Sequence, residues 1–470
     1  MKITLLFIVC LVVFVRPVWG IPILIIVTST LFQLSHYMGI PLPVGYLEAT
    51  ESIIVVLCLR LVLDRQVIKK NHAMLQMCAT TLEQEKWVKC VLLSAIIPYV
   101  IWQSMAIFIG GLSTAGTEYF RYGIRFFLNG IIPWLIIWIV WELRYYKDKI
   151  LYSVALLTII TALMHIVIQG TDYRAIMPLA YWGNPAEEYM FVYEQRMESL
   201  GYETLVRALP QGVMLIIFFS VYYFSKYIIG TYRQKIFFIL SVICFIAILI
   251  TVTRSLLFSA LCGFLITVFM AVYYRLYDFT RTSRLFNVII LLVFMIGAYS
   301  VVSPSFLNLW QERLDDLRVG SAAKVFSTEN PARGLDNIAS LEAIKDSPFL
   351  GHGYPRYHHK YSYRLVPPTD IHPLLQIGLV GGIPAILLFL RLLFLIIWKI
   401  GLPSLGDSER IFRILPFTGV LIMTACVVNT IGAGGTINGN GLIAMTLFIG
   451  LLAVYYPIEV AGAEVNENDK

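Results

Sequence analysis

The residues of this chain best suited to chemistry lie between Leu307 and Gly382, in a polar stretch that ends in a hydrophobic run. Between Asp346 and Asp370 the sequence contains no acidic residue. Cations and histidines are frequent in and just beyond this interval: Arg356, Lys360, Arg364, His352, His358, His359 and His372. Cationic side chains attract anions, and a neutral imidazole accepts protons. The segment therefore predicts a site that binds an anion and moves a proton.

His372 directly precedes a hydrophobic run and is followed by Pro373, a residue suited to the first turn of a helix. At this position a neutral imidazole could take the proton of a sugar hydroxyl. A purely structural histidine is the alternative. His352, His358 and His359 do not match a common zinc spacing, so no metal site and no cofactor are expected.

Arg356, Lys360 and Arg364 are spaced four residues apart. On a helix they would form one cationic face that suits an anionic substrate. An ordinary solvated amphipathic helix explains the same spacing, and both interpretations stay open. Gly351 and Gly353 flank His352 and predict a tight turn, but the Gly-Lys-Ser element of a phosphate loop is absent from this motif.

The composition places these residues in a membrane protein. Hydrophobic residues make up 58% of the 470 residues and charged residues 14%, with a mean hydropathy of +0.76, whereas soluble domains carry about 25% charged residues. Repeated apolar runs of about 20 residues fit a bilayer. The net charge of +7 is explained by cations in cytoplasmic loops, so nucleic-acid binding is not expected.

The predicted fold is all-α, a polytopic integral membrane protein with about 12 (12–13) transmembrane helices and one large extracytoplasmic loop. Residues 1–303 hold the N-terminal spans and an outer loop at 169–204, residues 304–372 form the large loop, and residues 373–470 hold the last spans and a cytoplasmic tail. Whether residues 3–15 span the membrane stays open. The candidate spans are roughly 3–15, 20–35, 46–63, 88–110, 122–143, 150–168, 205–225, 235–252, 255–274, 286–303, 374–398, 412–431 and 441–457.

Four arginines lie near the predicted outer ends of spans, where the positive-inside rule predicts few cations: Arg121, Arg125, Arg207 and Arg254. Ionisable groups within spans are costly and often functional. A guanidinium donates two parallel hydrogen bonds to a phosphate, so four on one side favour a shared anion such as a lipid-linked diphosphate. The alternative is snorkelling of each side chain to lipid headgroups.

Several motifs of residues 235–400 together resemble the O-antigen ligase and O-antigen polymerase superfamily of bacterial envelope enzymes. The similar pieces occur in the family's order around the large loop: Thr253-Arg-Ser-Leu-Leu-Phe-Ser-Ala260, Ala332-Arg-Gly, Ala343-Ile-Lys-Asp-Ser-Pro-Phe-Leu-Gly-His-Gly353, Ile371-His-Pro-Leu-Leu-Gln376 and Gly378-Leu-Val-Gly381. Two features depart from the pattern. The family's Asn after the histidine is Pro373 here, and the interval to the last element is about one helical turn short.

The resemblance implies a metal-independent membrane glycosyltransferase that uses a glycan on undecaprenyl diphosphate. By matching motif, His372 would be the base or acceptor-orienting residue and Arg254 a diphosphate clamp, with Arg207 a weaker match to a second family arginine. From their charge and position alone, and not from the resemblance, the other arginines and Lys360 described above are expected to bind the diphosphate or the substrate. The expected location is the bacterial inner membrane, with the active site facing the periplasm.

Three functions stay open from the sequence: a polymerase of lipid-linked repeat units, which we place first, a ligase that transfers glycan to a lipid A core, and a non-enzymatic flippase or exporter. The expected partners are the lipid-linked glycan, a glycan or lipid A core acceptor and membrane lipids. A polysaccharide chain-length regulator is a further candidate partner.

Overall fold

A computed structural model describes residues 2–27, 46–71, 79–113, 130–170, 213–229, 234–251, 254–276, 334–353, 373–402, 408–425 and 440–457. The described chain is helical, and no strand occurs within these ranges. The prediction of an all-α fold is therefore confirmed for this part of the protein.

The helices are α1 (Lys2–Val15), α2 (Gly20–Ile25), α3 (Tyr46–Asn71), α4 (Ala79–Ser113), α5 (Leu135–Glu142), α6 (Lys147–Gly170), α7 (Val213–Ile229), α8 (Gln234–Ile250), α9 (Arg254–Tyr273), α10 (Gly334–Asp346), α11 (Pro373–Leu395), α12 (Ser408–Met423) and α13 (Asn440–Tyr455). Short 3-10 helices precede α2, α5 and α6, and a π-helix at Ile396–Gly401 continues α11.

Within the described ranges, helices long and apolar enough to cross a membrane occur at Glu83–Ile109, Arg144–Val167, Leu256–Tyr273 and Leu374–Gly401. Shorter apolar helices add Leu6–Val15, Ile132–Glu142, Val213–Ile229, Lys235–Ile250 and Gly441–Tyr455. The total of about 12 spans stays a prediction, because segments such as 286–303 lie outside the described residues. Of the predicted large loop, the structure describes residues 334–353.

Helix α7 forms the centre of the described bundle. Nearly all of its side chains are buried, because it packs against α6, α8, α9, α12 and α13 at once. Phe218 and Phe219 meet Phe448 of α13 edge-on, with ring centroids 5.3 and 5.2 Å apart. A helix that is apolar on all sides is buried in the core of a protein or in a membrane, and α7 is surrounded by other helices.

The directions of α7, α8 and α9 follow from their contacts. Tyr227 packs on Phe238 of α8 at 4.9 Å, and Ser241 donates a hydrogen bond to the Ser220 carbonyl at 3.1 Å, so α7 and α8 are antiparallel. Phe224 of α7 packs on Phe264 of α9 at 4.4 Å, and Ile229 at the end of α7 clusters with Met270 near the end of α9. α7 and α9 therefore run parallel and begin at the same end of the bundle.

Helix α11 also begins at that end. It runs antiparallel to α4, since Trp102 contacts Gly381 whereas Ser94 contacts Arg391. The start of α4 lies at the opposite end, where Trp87 packs on Tyr456 at 5.3 Å. Helix α12 also starts there, through Arg410 over the Tyr456 ring, and α9 ends beside it in a cluster of Met270, Tyr274, Ile411 and Leu415.

This opposite end is rich in cations and aromatic rings. Arg144 pairs with Glu85 at 3.2 Å, and Tyr455 donates a hydrogen bond to Asp148. The cations of this end include Lys86, Lys89, Arg144, Lys147, Lys149, Lys226, Arg410 and Arg413. A belt of aromatic and basic residues is typical of a membrane–water interface, with the cations on its cytoplasmic side.

We expect Gly263→Ala to destabilise the bundle by about 1–3 kcal/mol, because it overpacks a close helix contact. An added Cβ would overlap the side chain of Val221 and lie 2.9 Å from the Met423 sulfur. Gly130→Ala is the matched control, since an added Cβ there meets no atom within 4 Å. Thermal unfolding of the purified protein in detergent measures both, and equal midpoints would contradict the packing of α7, α9 and α12.

Candidate active site

Helix α11 is broken at Gly382. This residue has φ 70° and ψ −169°, a backbone conformation that is essentially restricted to glycine. Two residues later, Pro384 lacks the N–H that would bond to the Val380 carbonyl. The helix therefore consists of a short first segment, residues 373–381, and a longer second segment that starts at Ile383.

The turn formed by residues 347–353 fills this break. The His352 N–H donates to the Leu379 carbonyl at 2.6 Å and the Gly353 N–H donates to the Val380 carbonyl at 2.9 Å. In return, the Ile383 N–H donates to the Pro348 carbonyl at 2.7 Å. An unpaired backbone group costs several kcal/mol in an apolar environment. The turn therefore supplies partners for the groups that the interrupted helix leaves without helical ones.

The turn has its own internal support. Ser347 accepts the Gly351 N–H with its carbonyl at 3.0 Å and donates its hydroxyl to the Gly351 carbonyl at 2.7 Å. The Nε2 atom of His352 lies 2.8 Å from the Ala343 carbonyl, which requires the tautomer with hydrogen on Nε2. Gly351 and Gly353 both have positive φ, so the predicted tight turn is confirmed.

Glycine is also required because the two backbones touch. A Cβ on Gly351 would lie 2.6 Å from both the Gly382 nitrogen and the Val380 carbonyl oxygen. A Cβ on Gly382 would lie 2.5 Å from the Pro348 carbonyl oxygen. The two glycine motifs of the sequence are therefore complementary halves of one structure, which we call the joint: residues 347–353 seated in the break of α11.

Helix α10 holds the joint from the side. Ala343 and Ile344 form a buried apolar cluster with Leu375 and Leu379 of the first segment. Gly378 permits this approach, since an added Cβ would lie 2.8 Å from Ile344 Cδ1. The first segment is thus fixed against the end of α10 as well as against the turn.

Helix α4 contributes two hydrogen bonds to α11. The Trp102 indole N–H donates to the Gly381 carbonyl, at the break, at 2.7 Å. About 15 Å away along the helix, by the rise per residue, Arg391 donates to the Ser94 carbonyl at 2.9 Å. Pro98 interrupts α4 four residues after Ser94, so this carbonyl has no helical donor. Trp102 of α4 therefore supplies a donor to a carbonyl at the glycine break of α11, and Arg391 of α11 supplies a donor to the carbonyl that Pro98 leaves without one in α4.

Three of the predicted site residues lie at or near helix starts. His372 lies outside the described residues, but α11 begins at Pro373, so the prediction of a helix directly after His372 is confirmed. Arg254 is the first residue of α9, and its side chain is not among those described. The start of α7, six residues after Arg207, lies at the same end of the bundle as the starts of α9 and α11.

The other predicted residues lie outside the described ranges: Arg121, Arg125, Arg207, Arg356, Lys360 and Arg364. Their assignment to a diphosphate or substrate stays a prediction. Within the described residues, no group of three or more His, Cys, Asp and Glu side chains is arranged to hold a metal ion.

Sequence reasoning missed Trp102 and Arg391. Arg391 carried a signal, because an ionisable residue inside a span is costly and invites an explanation. The breakers Pro98, Gly382 and Pro384 carried another, since each removes or redirects a helical hydrogen bond. No pattern in the sequence shows that the two helices repair each other.

Residues 239–390 match the family model described as O-antigen ligase. The matched region covers less than half of the chain and includes the start of α9, the joint and most of α11. No curated protein and no solved structure matches this chain significantly. The resemblance to the O-antigen ligase and polymerase superfamily is thereby confirmed for this region, in which the joint lies.

We expect Gly382→Ala to lower the stability of the joint by about 1–3 kcal/mol from backbone strain alone, with a further cost from overlap with the Pro348 carbonyl. Limited proteolysis should then cleave the 347–353 turn faster. Gly419→Ala is the control, because its added Cβ lies 3.3 Å from the Thr267 hydroxyl and its φ is negative. Equal cleavage rates for both variants and wild type would show that the break does not depend on glycine.

Proposed function

We propose that this multi-pass membrane protein, whose residues 239–390 carry an O-antigen ligase domain, polymerises lipid-linked oligosaccharide repeat units. The donor is a glycan on undecaprenyl diphosphate, and transfer takes place at the outer leaflet without a metal ion. The observation that carries the proposal is the family match, combined with a fold in which the helices that follow Arg207, Arg254 and His372 begin at one end.

The arginines supply the positive charge that the reaction needs. As the bond between the sugar and the diphosphate breaks, negative charge develops on the departing diphosphate, and preorganised guanidinium groups stabilise it. Arg254 at the start of α9 is the principal candidate, and Arg207 is the second. A diphosphate is already a good leaving group, so fixed cations replace a metal ion in this mechanism.

His372 acts on the acceptor. Its imidazole takes the proton of a sugar hydroxyl, the hydroxyl oxygen forms a bond to the anomeric carbon, and the bond from that carbon to the diphosphate oxygen breaks. The proton remains on the imidazole and the electron pair leaves with the diphosphate. The joint supports this role, because it fixes the helix segment that starts one residue after His372.

The remaining predicted cations serve binding. Arg356, Lys360 and Arg364 of the loop, with Arg121 and Arg125, attract the anionic donor to the site. The site faces the periplasm from the inner membrane, because the described cation-rich end of the bundle is the opposite one and cations mark the cytoplasmic side.

A ligase that transfers glycan to a lipid A core is the second candidate, favoured by the match to the O-antigen ligase family. The two enzymes differ in their acceptor and share the donor and the proposed site. We place the polymerase first because an unusual loop at 304–372 suits an unusual polysaccharide. A polysaccharide chain-length regulator remains a proposed partner of the polymerase.

Polymerisation is tested by the length of the glycan made in a deletion strain that expresses wild type, His372→Ala or Arg254→Ala at matched levels. We expect long chains with wild type and single repeats with either variant, because each removes transition-state stabilisation of about 10²-fold or more. Arg413→Ala is the control, since Arg413 is a partly exposed partner of Glu409 at the opposite end, and it should give long chains.

The other outcomes separate the alternatives. Long chains that stay on the undecaprenyl carrier in the variants, with chains on lipid A core in wild type, indicate the ligase. Normal polymer from both variants contradicts the assigned roles of His372 and Arg254 and favours the non-enzymatic flippase or exporter.

The proposed orientation is tested with single cysteines in a background without the native ones. Glu342→Cys, on the exposed side of α10, should react with an impermeant maleimide in spheroplasts. Lys149→Cys, exposed at the cation-rich end, should react only after permeabilisation, because the positive-inside rule places that end in the cytoplasm. The reverse pattern of labelling would refute the periplasmic site.

A further inference from the structure

The first segment of α11 is short, and a tilt at the break would move its far end. It spans Pro373–Gly381, which at about 1.5 Å per residue is about 13 Å long. His372 lies at its free end in the sequence, and the break at Gly382 lies at the other. A tilt of about 5° at the break would therefore displace the start of the segment by about 1 Å. A displacement of this size at a reacting group can cost about 10²-fold in rate.

Three sets of contacts prevent this tilt. The turn bonds to Leu379 and Val380, α10 packs on Leu375 and Leu379, and Trp102 of α4 bonds to Gly381. The turn and α10 belong to one continuous stretch of chain, and the Ile383 N–H bond to the Pro348 carbonyl links this stretch to the second segment. Trp102 belongs to a separate membrane-spanning helix, so its bond ties the break to the body of the bundle.

Helix α4 is shaped to hold this bond. Trp102 is partly buried, and its neighbour Gln103 is buried beside it, with its amide nitrogen 3.5 Å from the position of a Cβ on Gly381. One turn earlier, Tyr99 packs between Phe389 of α11 at 5.5 Å and Trp134 at 5.6 Å. The indole N–H is thus held towards the break by packing on both helices.

We propose that Trp102 is a positioning residue for the glycosyl transfer: its hydrogen bond to the Gly381 carbonyl sets the angle of the first segment of α11 and thereby the place of His372. The inference rests on the proposed function of His372. Trp102 lies outside the matched residues 239–390, so the N-terminal part of the chain takes a direct part in shaping the site.

The chain offers a matched control in Arg391. Among the described residues, Arg391 also donates a hydrogen bond between these two helices, to the Ser94 carbonyl, but it lies in the second segment of α11. Loss of either bond weakens the contact between α4 and α11. Of these two bonds, only the Trp102 bond lies at the break, beside the segment that leads to His372.

The kinetic test uses the full-length protein in detergent or liposomes with a lipid-linked repeat unit as donor. Trp102→Phe keeps an aromatic ring and removes the donor. We expect kcat to fall about 10- to 100-fold, with the KM for the donor unchanged within about twofold, because the diphosphate contacts remain. Arg391→Gln should keep kcat within about twofold, although its unfolding midpoint should fall at least as far as that of Trp102→Phe. Trp398→Phe, which removes an exposed indole, should match wild type.

A second readout does not depend on activity. Spin labels on Leu374→Cys in the first segment and Lys149→Cys at the opposite end report the position of the segment by double electron–electron resonance. Trp102→Phe should broaden or shift this distance distribution, and Arg391→Gln should leave it unchanged.

The outcomes are distinguishable. If wild type transfers no glycan, the proposed function fails, and the spin-label distances alone decide whether Trp102 positions the segment. If wild type is active and Trp102→Phe keeps normal kcat and distances, the positioning role is wrong. Equal losses of kcat in Trp102→Phe and Arg391→Gln, in proportion to lost stability, would also overturn it.

Discussion

The structure depends on one constraint: in a membrane, a backbone N–H or carbonyl that loses its helical partner must find another within the protein. Helix α11 loses partners at Gly382 and Pro384, and α4 loses one at Pro98. The turn of residues 347–353 and the side chains of Trp102 and Arg391 restore these bonds. Because these bonds are restored, the helix breaks at Gly382, Pro384 and Pro98 are tolerated in a membrane protein.

The pairing of the turn with the break in α11 explains why the glycines of the joint come from two separated pieces of sequence. Gly351 and Gly353 on one side and Gly382 on the other bring two backbones into direct contact. The serine and histidine of the first motif complete the turn by bonding to Gly351 and Ala343. His352 therefore has a structural part within the joint, whereas His372, at the start of the held segment, is the residue proposed for chemistry.

The two ends of the bundle differ, and the proposed reaction belongs to one of them. Helices α7, α9 and α11 begin at one end, and the described cations of α4, α6, α12 and the end of α7 gather at the other. Under the proposed function, the predicted arginines near the first end bind an anion and do not serve to set the orientation. A short helix segment held from two sides suits a reaction in which small displacements cost much of the rate.

The sequence by itself determined the all-α class of the described residues and their apolar, membrane-type helices, together with the family resemblance of residues 239–390. It also determined the tight turn around His352 and the helix that starts after His372. These follow from local properties: hydropathy, glycine and proline at defined positions, and motif order. The sequence left the roles of Arg254, Arg207 and the loop cations as predictions. Only the tertiary structure showed that Trp102 and Arg391 repair helix breaks, because a carbonyl freed at one position is paired by a side chain more than 250 residues away.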